Sequence, residues 1–369
     1  LLKDLLEVYS PSGSEGRLAE LLAQQMASLG FRVVRDQVGN VIGEVGEQGP
    51  RILLCGHMDT VPGEIPVRLE GDLIYGRGAV DAKSALAAMV LGSELAVKRT
   101  TAPFRATVVG AVEEETSSKG VKSLINRNSP SDLAVFGEPS GVRRLVIGYK
   151  GSLKLQVTFQ TNGGHSAAPW LSRNSIEEAF ELWKELKQSI LQNDSTQKFN
   201  VLTGCITSAH AGESENSIPK KATLSIDIRT PPEIKTRQVM QKTANFAKRY
   251  ERDHEGVHAD VEFIDQCPGY AGASNSIAVQ AFRWAIKNSI GGRVELLKKT
   301  GTSDMNLFAQ ANRIPMIAYG PGDSTLDHTE NERIHIQEYL DSIEVFAKAI
   351  DKFATLYRDR QLQPVPLVE

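Results

Sequence analysis

Cysteine is scarce in this 369-residue chain: Cys55, Cys205 and Cys267 are far apart and odd in number. That excludes a disulfide scaffold and fits a reducing compartment, so a cytoplasmic location is expected. Long hydrophobic runs are missing as well. No stretch of ~18 apolar residues occurs, so neither a transmembrane helix nor a membrane partner is expected. Residues 1–10 carry Lys3, Asp4 and Glu7 and lack the basic region, apolar core and cleavage site of a signal peptide. Neither sign of charge dominates: 42 Lys+Arg against 45 Asp+Glu leave a net charge of −3. A nucleic-acid binder shows a basic excess, so no nucleic-acid partner is expected. What is present, 41% hydrophobic and 24% charged residues, is the composition of an ordinary globular protein. At ~150 residues per domain, the length accommodates about two domains. Internal repeats and low-complexity segments are absent.

The first third alternates helical and strand patterns. Apolar spacing predicts helices over residues 1–8, 15–29 (capped by Ser14), 82–97 and 117–125. Strands are predicted at 31–35, 41–45, 51–56, 105–112 and 132–136. This alternation implies a mostly parallel sheet with helices on its faces. The pattern then changes. Residues 152–159 alternate with period two, the mark of an antiparallel strand with one wet face. Helices at 175–191 and 236–251 flank strands at 201–208 and 221–229, a small α+β arrangement. The first style returns with helices at 275–287 and 336–356 and a strand at 314–318. The chain therefore reads as an α/β domain, 1–150 plus 265–369, interrupted by an inserted α+β domain at 151–264. The tail from Gln361, with Pro364 and Pro366, reads as frayed.

Ligands of parallel α/β sheets bind at the carboxyl ends of strands, and several strand ends here carry polar clusters. His57 and Asp59 follow the buried run 51–56. An imidazole with a carboxylate beside it can ligate a metal in a fixed tautomer, or the pair can simply cap a strand. Asp81 ends Gly-Arg-Gly-Ala-Val-Asp at the start of a helix, where an N-cap is the plainer role. Glu113, Glu114 and Glu115 end another apolar strand. Three adjacent carboxylates repel one another unless they are solvated or neutralised by a cation. Glu138 stands at a further end, and His328 lies late in the chain after Gly320-Pro321-Gly322. Together these offer nitrogen and oxygen donors without thiolate, the set that zinc, cobalt or manganese accepts in hydrolytic sites. A carboxylate is the natural bridge between two metals. Spacing alone does not say which of the three glutamates would act as a base.

Taken in order, Gly-His-Met-Asp-Thr-Val-Pro, Gly-Arg-Gly-Ala-Val-Asp-Ala-Lys, Glu-Glu-Glu-Thr-Ser-Ser-Lys-Gly, Gly-Glu-Pro and Asp-His-Thr resemble the motifs of the dinuclear zinc aminoacylase and carboxypeptidase family. The resemblance covers essentially the whole chain. It implies a zinc-exopeptidase-like α/β catalytic domain with an inserted, ferredoxin-like α+β domain serving as lid and dimerisation surface, hence a homodimer. It also implies two divalent ions, Zn2+ or Co2+. His57 and Glu138 would hold one, Glu115 and His328 the other, and Asp81 would bridge them. Glu114 would be the general base and Asp59 would orient His57. Glu113 stands where the family commonly has Asp. In the inserted domain, His165 resembles a histidine that stabilises the developing oxyanion, often across a dimer. Asn216 and Arg229 resemble substrate contacts, and Gly301, Thr302 and Ser303, followed by Asp304, resemble the loop that receives the substrate carboxylate. His210, His254, His258 and His335 match no motif and read as surface or core residues. Within the family, Glu-Glu-Thr-Ser-Ser-Lys-Gly and Gly-Tyr149-Lys150-Gly151 look most like the deacylases of lysine and arginine biosynthesis. The substrate implied is a basic amino acid carrying, on its α-amino group, an acyl group or a LysW-type carrier protein. A desuccinylase or dipeptidase, or a non-catalytic binding protein, are the other readings.

Overall fold

The computed structural model describes residues 1–100, 102–127, 130–192 and 194–361. The predicted tail, apart from Gln361, lies outside them. The chain divides into two compact units, one formed by residues 1–147, 272–297 and 307–369, the other by residues 148–271 and 298–306.

The first unit is built on a sheet that runs Arg32–Arg35, Val41–Val45, Arg105–Ala111, Arg51–His57, Leu133–Phe136, Met316–Ala318 and Arg144–Tyr149. Arg51–His57 is parallel to both of its neighbours, and Leu133–Phe136 to Met316–Ala318. These strands read as continuous apolar runs because both faces are covered. Leu54, Val108 and Val135 share a core with Leu86 and Val90 of the helix Lys83–Arg99 and with Phe346 and Phe353 of the helix Ile336–Gln361. Phe282, Tyr319 and Phe346 meet edge to face, with ring centroids 5.2–5.8 Å apart, the favoured aromatic geometry.

The second unit follows the order strand, helix, strand, strand, helix, strand: Gly151–Gln160, Ser175–Ser189, Thr203–Ala211, Lys221–Thr230, Thr236–Asp253 and His258–Cys267. Its antiparallel sheet places Lys221–Thr230 and Gly151–Gln160 centrally, which is the ferredoxin-like arrangement. Leu153, Leu155, Val157 and Phe159 are buried in its core with Leu182 and Phe246 of the two helices. The period-two pattern of this strand thus reports one helix-covered face.

Three details depart from expectation. The helix Gly16–Ser28 has Glu15, not Ser14, at its N-cap, and no side-chain cap bond. Glu15 is buried and accepts the Gly13 and Glu113 N–H groups at 3.1 and 3.0 Å. Residues 298–306, expected in the α/β domain, group with the second unit. There the Thr302 hydroxyl and Asn306 amide donate to the Lys150 carbonyl at 2.9 and 3.2 Å. The helix Asp304–Ala311 and the exposed strand Arg68–Glu70 had no clear periodic signal, one being short and the other lacking a buried face.

Candidate metal centre

His57 is the last residue of the strand Arg51–His57 and is buried. Its Nδ1 faces the Asp59 carbonyl oxygen at 2.9 Å, an acceptor that draws the ring proton to Nδ1. Nε2 then points outward as the free donor atom, 3.3 Å from Asp81 Oδ1. His328 reaches the same carboxylate from the other side: its Nε2 lies 3.1 Å from Asp81 Oδ2 and 3.0 Å from Glu115 Oε1. Asp81 therefore offers one oxygen to each of two imidazoles. It is not the N-cap of the following helix; Ala82 holds that position. Asp81, Glu115 and His328 present ligand atoms that all lie within 4.8 Å of one another. Glu138, half-buried, follows the neighbouring strand Leu133–Phe136 and stands outside that group of three.

The charges respond to this crowding. Burial pushes the Asp81 carboxyl up, but the His328 and His57 rings against it outweigh that and hold it well below the usual range. Burial also opposes charge on His57, yet Asp59 and Asp81 raise its pKa well above the ordinary value. His328 is pushed up to about 9, chiefly by its hydrogen bond to Asp81. Glu115 is raised by burial and by the Asp81 charge.

The three adjacent glutamates are sorted by the backbone. Glu113 adopts φ 56°, a left-handed conformation uncommon outside glycine. It turns its carboxylate away to the Ser117 hydroxyl and Lys119, at 2.5 and 3.3 Å. Glu115 faces His328. The Glu114 and Glu115 N–H groups both donate to the Asp59 carboxylate, each at 3.0 Å, and Ser12 adds a hydroxyl at 2.7 Å. Asp59, fully buried, thus fixes the glutamate turn as well as standing 3.5 Å from His57 Nδ1.

Three further residues escaped the sequence reading. Glu332, buried, accepts the Val80 and Asp81 N–H groups at 2.9 and 3.0 Å and pairs with the buried Arg77 at 3.0 Å. Arg77 also donates to the Thr329 carbonyl at 3.0 Å. This pair clamps the loop of Asp81 to the loop of His328. Lys83, buried, donates to the Leu5 and Val8 carbonyls at 3.1 and 2.8 Å, and burial pushes its pKa down to about 7. The motif Asp-His-Thr-Glu-Asn-Glu contained the only hint of Glu332.

The remaining expected site residues belong to the second unit. His165 is exposed, on the two-residue strand Gly164–His165 that pairs with Ser217–Ile218. The Ala167 N–H donates to its Nδ1 at 3.0 Å. In the neutral ring the proton then sits on Nε2, which faces outward as a hydrogen-bond donor. Asn216 lies beside it: its carbonyl accepts the Ser166 N–H at 3.3 Å. Arg229 donates to Asp227 at 2.8 and 3.1 Å and to the Thr302 hydroxyl at 3.0 Å. Ser303 accepts the Met305 N–H at the start of the helix Asp304–Ala311. Gly301 has open space around its Cα.

Lys150 underlies this second group. Its side chain is fully buried, and its ammonium donates to the Lys198 and Val201 carbonyls and the Thr203 hydroxyl at 3.0, 2.6 and 2.7 Å. Lys150→Met strands these acceptors and should destabilise the protein by about 2–4 kcal/mol. Burial, with Arg229 and Lys198 nearby, pushes the Lys150 pKa from 10.5 down to about 8. Between those values the unfolded chain holds a proton that the folded chain has released, so this residue's term makes stability rise with pH across that window. Urea unfolding from pH 8 to 10.5 should show a steeper rise in the wild type than in Lys150→Met, which keeps only the contribution of Lys83. An identical slope in the two proteins would contradict this.

The chain has relatives among known proteins. Relatives include the LysW-lysine hydrolase of Deinococcus radiodurans, 32% identical over 355 residues that cover 95% of this chain and 96% of the relative. The LysW-lysine/LysW-ornithine hydrolase of Saccharolobus solfataricus is 31% identical over 356 residues, 95% of this chain and 94% of the relative. A crystal structure from Bacillus subtilis, described as a dinuclear metal binding peptidase of the M20 family, has the same fold: TM-score 0.73 at 15% identity, covering 95% of each chain. Residues 53–352 match the model of peptidase family M20/M25/M40, and the chain belongs to that family.

Proposed function

We propose that this enzyme hydrolyses the amide on the α-amino group of a basic amino acid, releasing lysine or ornithine from a LysW-type carrier protein. One observation carries the hydrolytic part: a single carboxylate, Asp81, faces the Nε2 atoms of two histidines, with Glu114 on the adjoining turn. The carrier-linked substrate rests on the names of the relatives, which match over nearly the full chain. The chemistry of the donor set fits divalent cations, since it has imidazole and carboxylate but no thiolate. His57 and Glu138 would hold one ion and Glu115 and His328 the other, with Asp81 between them. Zn2+ is the first choice and Co2+ the second. Bound there, two such ions supply Lewis acidity, polarising the acyl carbonyl and acidifying water.

The protein's own residues do the rest. Glu114 takes the proton of the attacking water and returns it to the leaving amine, the work of a carboxylate not occupied as a ligand. Asp59 holds Glu114 in place through its backbone N–H and keeps His57 in one tautomer. His165, with Nε2–H exposed, donates to the developing oxyanion. Arg229, Thr302, Ser303 and Gly301 receive the amino acid's carboxylate, with Asn216 beside them. The second unit serves as lid and as the surface of a homodimer. Among the described residues no helix is long and apolar enough to cross a membrane. Cys55, Cys205 and Cys267 are all free thiols, which supports a cytoplasmic site of action.

His165→Ala should lower turnover by about 10²–10³-fold, the usual loss of one oxyanion donor, without changing metal content. If His165 acts across a dimer, mixing this variant with Glu114→Ala restores part of the activity. Retention of full activity in His165→Ala would remove it from the mechanism. The substrate is tested by assaying the zinc- or cobalt-loaded protein on carrier-linked lysine and ornithine, on α-N-acetyl lysine and ornithine, and on succinyl-diaminopimelate. Carrier-linked lysine or ornithine should give the highest kcat/KM. Preference for the succinyl compound would make the enzyme a desuccinylase instead.

A further inference from the structure

The metal centre occupies one end of the parallel strands, and their other end holds a cavity that the hydrolytic reaction does not use. Arg51 opens the strand Arg51–His57 and Arg105 opens Arg105–Ala111, and the parallel register sets the two arginines side by side. Leu53 and Thr107 are the next pair on that face, and Thr107 in turn opposes Glu44. Leu124 and Arg127 of the helix Lys119–Arg127, together with Phe308, help enclose a cavity of about 200 Å³ over this face. Arg51 and His57 are six residues apart on one strand, so at ~3.3 Å per residue the arginine end of the cavity lies about 20 Å from His57.

Like charges placed directly opposite one another weaken a sheet unless something neutralises them. Arg51 has partial relief from Asp132, 3.5 Å away. Glu44 also lines the cavity, and its carboxylate is paired with Arg32 at 3.3 Å. Arg105 donates through one terminal nitrogen to the Glu47 carbonyl at 2.7 Å, but its Nε is buried and has no acceptor among the described residues. That nitrogen is closed to the cavity as well as to solvent, so what a bound anion would relieve is the repulsion between the two guanidinium charges.

We infer that this cavity binds a small aliphatic carboxylate, its head held by Arg105 and Arg51 and its stem lying against Leu53, Leu124 and Phe308. Paired guanidinium N–H groups match the two oxygens of a carboxylate. A cavity of this volume has room for a short aliphatic carboxylate such as pentanoate. The apolar floor selects such a stem over a fully hydrated anion.

The test is calorimetry of the metal-loaded protein with pentanoate, with acetate and inorganic phosphate as comparison probes. Pentanoate should bind with Kd below ~10 mM. Arg105→Gln and Arg51→Gln should each weaken it by about tenfold, the effect of removing a charge-assisted pair. Arg105→Lys should recover part of the loss. Metal content and circular dichroism of all three variants should match the wild type, and acetate and phosphate should bind more weakly than pentanoate. Pentanoate binding that is undetectable, or unchanged in both glutamine variants, would overturn the inference. Equal binding of phosphate would also overturn it, because it would show a charge-only surface rather than a site for an aliphatic acid.

Discussion

Glu114→Ala should lower turnover by about 10²–10⁴-fold, the range for loss of a positioned general base. The protein should keep two metal ions per chain and its thermal stability. The expectation follows from how the three glutamates are divided. Glu113 is turned outward to Ser117 and Lys119. Glu115 faces His328 at 3.0 Å. Glu114 is placed between them by its N–H bond to Asp59, and in the proposed scheme it holds no ion. Removing its carboxylate deletes the proton carrier and leaves the ligands intact. Glu113→Ala is the internal control: its carboxylate serves only the turn, so its effect on kcat should be small. Normal turnover in Glu114→Ala, or loss of metal with loss of activity, would refute this division.

Asp81→Asn is the second large effect. The substitution keeps the shape of the side chain and one oxygen but removes the charge between His57 and His328. Two dications held close together repel strongly unless an anion stands between them. Metal content should fall below two per chain, and kcat should fall by at least about 10²-fold, more than the loss from altering an outer-shell partner of a ligand. The mutation also removes the group that most raises the His328 pKa. In the metal-free variant, the His328 titration seen by NMR should move down toward the ordinary imidazole range. Full metal occupancy with wild-type activity would show that Asp81 does not bridge.

The legible and illegible parts of the centre differ for a physical reason. His57, Asp81, Glu115, Glu138 and His328 stand in short local motifs, mostly at the ends of apolar strands, so residue type and neighbours advertise them. Their supports do not. Arg77 and Glu332 are far apart in sequence and meet only because two loops cross. Glu15 stands at the start of a helix, where no motif marks it, yet it is buried and accepts the Glu113 N–H. Asp59 was readable as the partner of His57. Its bonds to the Glu114 and Glu115 backbone depend on a turn in which Glu113 takes a positive φ, which no periodicity signals. The α+β character of the second unit was visible in alternating strands such as Gly151–Gln160, and its ferredoxin-like order was implied by the family resemblance. The return of residues 298–306 to that unit was not, because it rests on hydrogen bonds between residues far apart in sequence, those of Thr302 and Asn306 to the Lys150 carbonyl, of Asn306 to the Pro268 carbonyl and of Arg229 to Thr302.

In the proposed scheme Asp81 lies between two metal ions. Anomalous diffraction from crystals of the zinc- or cobalt-loaded enzyme tests it directly. Two peaks about 3.5–4 Å apart are predicted, one beside His57 and Glu138, the other beside Glu115 and His328, with an Asp81 oxygen facing each. A single peak, or two peaks that leave Asp81 without a metal neighbour, would contradict the account.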